Sequence, residues 1–133
     1  MALLPYRRIV WSSAIYDLLV TVPFATPWTA RLATGHLTEL HRALGLGGAP
    51  PPPFLPLHLV FVSFFGTIVI LWSVLRLRDP QRLFGLADGL GRLAFSAWMI
   101  FGLASGETRL LLPFLVPEIA WGLAQLAGWR MMA

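Results

Sequence analysis

The stretch FVSFFGTIVILWSVL, Phe61–Leu75, is almost continuously apolar and carries no charge over its whole length. A strand crossing a membrane alternates apolar and polar side chains over roughly 10 residues, whereas this run shows no alternation. A helix satisfies its own backbone groups in hydrocarbon, so a membrane-spanning helix is the better solution. On either side of it the same pattern recurs. A span across ~30 Å of hydrocarbon needs roughly 20 apolar residues, and four runs reach that length: Ile9–Trp28, Phe54–Leu75, Leu83–Ser105 and Leu110–Trp129. The links RLRDPQR (Arg76–Arg82) and GETR (Gly106–Arg109) are short, which makes the helices they join antiparallel neighbours. The expected fold is therefore all-α: an integral-membrane, antiparallel four-helix bundle forming a single domain over residues 1–133.

Composition supports this reading. The chain has 133 residues, 57% of them hydrophobic and only 12% charged, with mean hydropathy +0.73, too apolar for an ordinary soluble globule. All ten basic residues are Arg, set against six acids. Removing the apolar runs leaves no dense basic surface, so nucleic acid is not an expected partner. The absence of cysteine excludes disulfides, thiolate metal sites and thiol nucleophiles. A cleaved signal peptide is a poor reading of the first run because Asp17 interrupts it.

Arginine placement gives an orientation. Arg7, Arg8, Arg76, Arg78, Arg82 and Arg130 fall on one side, Arg31, Arg42 and Arg109 on the other, and Arg92 inside the third span. The richer side is expected to be cytoplasmic, with both termini there, in the cytoplasmic (inner) membrane. Between the first two spans, Ala33, Leu37, Leu40 and Leu44 recur at helical spacing with His36, Glu39 and His41 between them. That pattern predicts a short amphipathic helix at the membrane surface, stopped by Gly45, Gly47 and Gly48, with Pro50–Pro53 as a stiff spacer.

Ionisable groups within spans are expensive and point to function. Asp17 lies ~12 Å from the cytoplasmic start of its helix, at 1.5 Å per residue. Arg92 lies at similar depth, Asp88 is one turn before it, and Gln125 of the fourth span belongs to the same layer. These four residues form either a polar brace that fixes helix rotation or a proton- or anion-handling site, with Arg92 holding charge and Asp17 titrating. A second group is expected in the outer half, where Glu118 and His58 face a common cavity bordered by Trp28 and Trp121. Nine of the eleven prolines lie on that side, and kinked helices there leave room for a small, mostly apolar ligand with one polar or cationic group. No metal or other cofactor is expected: His36 and His41 are five residues apart, a poor spacing for one helix face. No hydrolase elbow, phosphate loop, dinucleotide fingerprint or zinc-protease motif occurs. Small residues at four-residue spacing, Gly85 and Gly89, Gly102 and Gly106, and Ala120, Ala124 and Gly128, let helices approach within the bundle or against a partner.

The stretch YDLLVTVPFAT, Tyr16–Thr26, followed by a loop helix and a proline-rich entry to the second span, sits in a span layout that resembles two families of small membrane proteins. One is the DoxX-like group of bacterial inner-membrane proteins, several of which are membrane subunits of quinone-linked oxidoreductases. The other is the EXPERA arrangement, a four-helix bundle whose members bind or isomerise sterol-like ligands through acids in an apolar cavity. For the EXPERA resemblance the paired acids would correspond to Asp17 and Glu118, which depth counting places in opposite halves. Three functions follow. The leading one is a non-catalytic subunit or helper that engages other membrane proteins, or a second copy, within the lipid bilayer. The second is a binding or transport module for a small apolar ligand, and the third an enzyme modifying a lipid or sterol-like molecule.

Overall fold

The computed structural model describes residues 3–131. Every regular element among them is helical: α1 (Leu3–Thr21), a 3-10 turn (Val22–Phe24), α2 (Pro27–Ala43), α3 (Pro56–Arg78), α4 (Arg82–Ala104), a second 3-10 turn (Arg109–Leu111) and α5 (Leu112–Met131). The helices α3 and α4, and the last helix with its leading turn, are each long and apolar enough to cross a membrane, and the first helix together with α2 passes the same test as a bent pair.

The first apolar run does not continue to Trp28 as expected. Pro23 sits in the 3-10 turn that ends α1, where its missing N–H and fixed φ stop the α-helical ladder. Thr26 then caps a new helix, its Oγ1 accepting from the Thr29 N–H at 3.2 Å, with Pro27 in the first turn. The chain bends by 98° between the two segments. Gly66 of α3 makes room for this corner, since a Cβ there would lie 2.5 Å from the Phe24 carbonyl oxygen. Helix α2 is therefore the expected loop helix, but it begins at Pro27 and takes in Trp28.

The outer connections are tied together. Helix α2 ends with Gly45 at φ +57, the Leu46 N–H bonding the His41 carbonyl and the Gly45 N–H that of Arg42. Helix α4 ends the same way, with Gly106 at φ +90 and the Glu107 N–H bonding the Gly102 carbonyl; both ends are Schellman stops. The two stops are joined by Ala49 N–H to Gly106 O at 2.8 Å and Arg109 N–H to Gly47 O at 3.0 Å. His41, buried on α2, lies 2.7 Å from Thr108 Oγ1 in a hydrogen bond that fixes the strap from its inner side.

The largest interface is between α4 and α5. A Cβ on Gly89 would lie 3.1 Å from the Leu126 side chain, one on Gly122 3.4 Å from Arg92 Cβ, and one on Gly102 3.2 Å from Leu111. Numbers rise along one helix as they fall along the other, so this pair is antiparallel. At its end Arg82 covers the Trp129 ring at 4.0 Å and donates to the Trp129 carbonyl. Tyr6 of α1 lies in the notch between Gly85 and Gly128. These glycines are thus occupied by packing within the chain. The molecule is inside-out by soluble standards: Phe61, Phe64, Ile68, Leu71, Phe101, Val116 and Leu123 are exposed, while Ser13, Ser73, Arg76, Arg92 and Gln125 are buried.

Candidate functional site: a buried ion cluster beneath an apolar cavity

Helical spacing assembles the polar core. Ser13 and Asp17 are one turn apart on α1, Trp72 and Arg76 on α3, and Asp88 and Arg92 on α4, while Glu118 and Gln125 share a face of α5 two turns apart. Arg92 is the hub. Its Nε donates to Asp88 Oδ2 at 3.0 Å, its Nη1 to Glu118 Oε1 at 2.9 Å, and its Nη2 to both Asp17 oxygens at 2.8 and 2.7 Å. The expected brace of Asp17, Asp88, Arg92 and Gln125 does come together, with Gln125 Nε2 donating to Asp88 at 2.8 Å and to Ser13 at 2.9 Å.

Arg76 is a second hub that the sequence reading placed on the cytoplasmic side. Helix α3 runs on to Arg78, so Arg76 stays inside the bundle at 0% exposure. Its Nη1 donates to Asp88 at 2.6 Å and Ser13 at 3.1 Å, and its Nη2 to Asp17 and to Ser73 at 3.3 Å. Trp72 lies beneath its guanidinium at 5.6 Å and donates its own N–H to Asp88 at 2.8 Å. The available signal was Trp72, Ser73 and Arg76 at helical spacing. Ending the span at Leu75 hid it.

The expected outer group does not form. Glu118 joins the ion cluster, so Asp17 and Glu118 meet on one guanidinium and do not lie in opposite halves. His58 is exposed at the start of α3, where its Nδ1 accepts from the Leu55 N–H at 3.2 Å and its ring meets Phe54 edge-on. This is a helix cap one turn from its own backbone, too far out to reach Glu118. Trp28 is 77% exposed on α2, and Trp121 is half-buried on α5; neither borders the cavity. The outer prolines divide among several places: Pro27, Pro56 and Pro113 occupy first turns of helices, Pro23 lies in a 3-10 turn, Pro50–Pro53 lie between helices, and Pro117 lies inside α5. His36 pairs with Glu39 at 3.5 Å on the surface while His41 turns inward to Thr108, so these three do not converge.

A cavity of about 600 Å³ does exist, on the cluster itself. Its polar end is formed by Asp17, Asp88, Arg92 and Glu118; its walls are Tyr16, Val20 and Phe24, Phe65, Ile68, Val69 and Trp72 of α3, Phe95, Trp98 and Met99 of α4, and Leu111 and Phe114. Leu37 of α2 also lines it. Phe65, Ile68, Phe95 and Trp98 both line the cavity and are exposed. Helices α3 and α4 have few close backbone approaches; their side chains meet through Trp72 with Phe84, Phe65 with Phe95, and the bonds from Trp72 and Arg76 to Asp88. The cavity thus opens sideways between them, midway along both helices.

The guanidiniums face inward and their Nη groups are taken up by carboxylates and hydroxyls. Three acids share two arginines. Both Asp17 oxygens and both Asp88 oxygens accept bonds, whereas among the described residues Glu118 accepts only through Oε1, and its buried Oε2 has no partner. Comparison of the chain with protein-family models, with curated proteins and with solved structures gives no match.

Proposed function

We propose that the chain is a multi-pass protein of the cytoplasmic membrane that binds a small, mostly apolar ligand bearing one polar group, taken up sideways from the bilayer through the gap between α3 and α4. One observation carries this reading: an apolar-walled cavity of about 600 Å³ ends on a buried ion cluster and opens between two helices whose outer faces are themselves apolar. A volume of that order suits a small organic molecule, and a mouth among Phe65, Ile68, Phe95 and Trp98 suits one dissolved in lipid. Membrane placement is supported by the inverted distribution of polar and apolar side chains and by helix lengths near those needed for ~30 Å of hydrocarbon. With Arg76 inside, Arg7, Arg8, Arg78, Arg82 and Arg130 still outnumber Arg31, Arg42 and Arg109, which supports cytoplasmic termini. Of the small residues that would serve a subunit interface, Gly85, Gly89, Gly102 and Gly128 pack within the chain, which favours the pocket.

Gly91 supplies the test. It lines the cavity, and a Cβ added there meets nothing within 4 Å. Gly91→Leu is expected to fill the space without disturbing the helices. Protein purified from its own membranes in mild detergent should carry a small molecule detectable by mass spectrometry, and Gly91→Leu should lose it while remaining folded. Equal ligand content in the two proteins, or no small molecule in either, would refute the pocket reading.

A further inference from the structure

We infer that Glu118 holds one exchangeable proton, making its carboxyl a proton-binding site at the floor of the cavity. The inference rests on the membrane placement proposed above, since it needs the cluster to be screened from water, but it does not need a ligand.

Asp17, Asp88 and Glu118 meet Arg76 and Arg92, three potential anions against two cations that stay protonated. With every acid ionised the cluster would hold one uncompensated negative charge in a medium of low dielectric, the arrangement that buried groups avoid. One proton restores neutrality. Asp17 and Asp88 are poor places for it, because each bridges both arginines and each uses both oxygens as acceptors; a proton on either would displace a charge-assisted bond. Glu118 is different. Only 9% of it is exposed, its Oε1 takes a single bond from Arg92, and its Oε2 has no hydrogen-bond partner among the described residues. A carboxylate oxygen buried without a donor is costly, whereas a neutral O–H at Oε2 leaves the Arg92 bond to Oε1 intact. The titratable and charged groups facing this carboxyl are Tyr16 and Asp17 from α1 and Asp88 and Arg92 from α4, with Arg76 of α3 behind them; α2 brings only Leu37 to the cavity. The acid–base step is simple: the Oε2–H bond breaks, the electron pair stays on the carboxylate, and the proton leaves to water.

Infrared spectroscopy of the full chain in lipid vesicles at neutral pH tests this. The protein should show a protonated-carboxyl C=O stretch that shifts down on equilibration in D2O and is absent in Glu118→Gln. Charge balance makes a sharper demand. In Asp17→Asn two acids face two arginines, so Glu118 should ionise and the band should vanish although Glu118 is present; Asp88→Asn should behave alike if the first variant does not fold. No band in the unsubstituted protein, a band surviving Glu118→Gln, or a band persisting in the folded Asn variant would each overturn the inference. Gly91→Leu separates it from the ligand reading: the band should remain there, and a pocket found empty leaves it untouched.

Discussion

Arg76→Leu is the most discriminating substitution, because the sequence alone treats Arg76 and Arg78 as equivalent arginines at one cytoplasmic turn. In the structure Arg76 is buried, with Nη atoms on Asp17, Asp88, Ser13 and Ser73, while Arg78 is exposed. Removing one partner from a buried ion pair costs ~3–5 kcal/mol. Which end of that range applies follows from the bonds left behind. After Arg76 is lost, Asp17 keeps its two bonds from Arg92, and Asp88 keeps those from Trp72, Arg92 and Gln125, so neither acid is orphaned and the loss should be about 3 kcal/mol. Arg92→Leu should cost nearer 5 kcal/mol, because it removes the sole donor to Glu118 together with two of the bonds to Asp17. Arg78→Leu should stay within about 0.5 kcal/mol. Reversible unfolding of the three variants in mixed detergent micelles measures the order. Adding Asp17→Asn to Arg92→Leu should recover part of the loss, with a coupling of ~1–3 kcal/mol. Equal stabilities for Arg76→Leu and Arg78→Leu, or strict additivity in the double variant, would refute the cluster as described.

Two glycines should respond to the same change with opposite sign. Gly66→Ala drives a Cβ against the Phe24 carbonyl at 2.5 Å and should destabilise by ~1–3 kcal/mol, whereas Gly35→Ala on the open face of α2 should gain up to ~1 kcal/mol; thermal unfolding of both variants compares them directly. Thr108→Val keeps the side-chain shape but leaves the buried His41 Nδ1 and the Leu110 N–H without their shared partner. It should cost ~1–3 kcal/mol and speed amide exchange in the Gly45–Ala49 strap, as read by hydrogen-exchange mass spectrometry.

The sequence made the helices legible because apolar length is a strong, local signal. The run Phe54–Leu75 starts two residues before α3 and Leu83–Ser105 ends one residue past α4. The inner brace was legible too: Asp88 and Arg92 are a turn apart, and counting depth places Asp17 and Gln125 beside them. Two misreadings have distinct causes. Hydropathy ends a span at the first charge, which puts Arg76 in a turn, although the helix carries it inward to two acids, Asp17 and Asp88, in need of cations. Depth counting along the fourth run puts Glu118 in the outer half, about eight residues from the outer end, but Arg92 on α4 reaches it across a close glycine contact at Gly122. Pairing between helices is a property of register, and nothing local to either segment records it. The corner at Pro23–Pro27 is hidden for a related reason: proline announces a break, but the room for the 98° turn is left by Gly66 of another helix.

The sideways mouth between α3 and α4 alters what abundance means for this protein. On the ligand-binding function proposed above, a guest arriving through Phe65, Ile68, Phe95 and Trp98 would be counted in moles per mole of phospholipid, not per litre of cytosol. Candidate compounds should therefore rank first by how strongly they partition into the acyl phase, and diluting the vesicles with empty lipid should weaken occupancy even when the total amount of compound is unchanged.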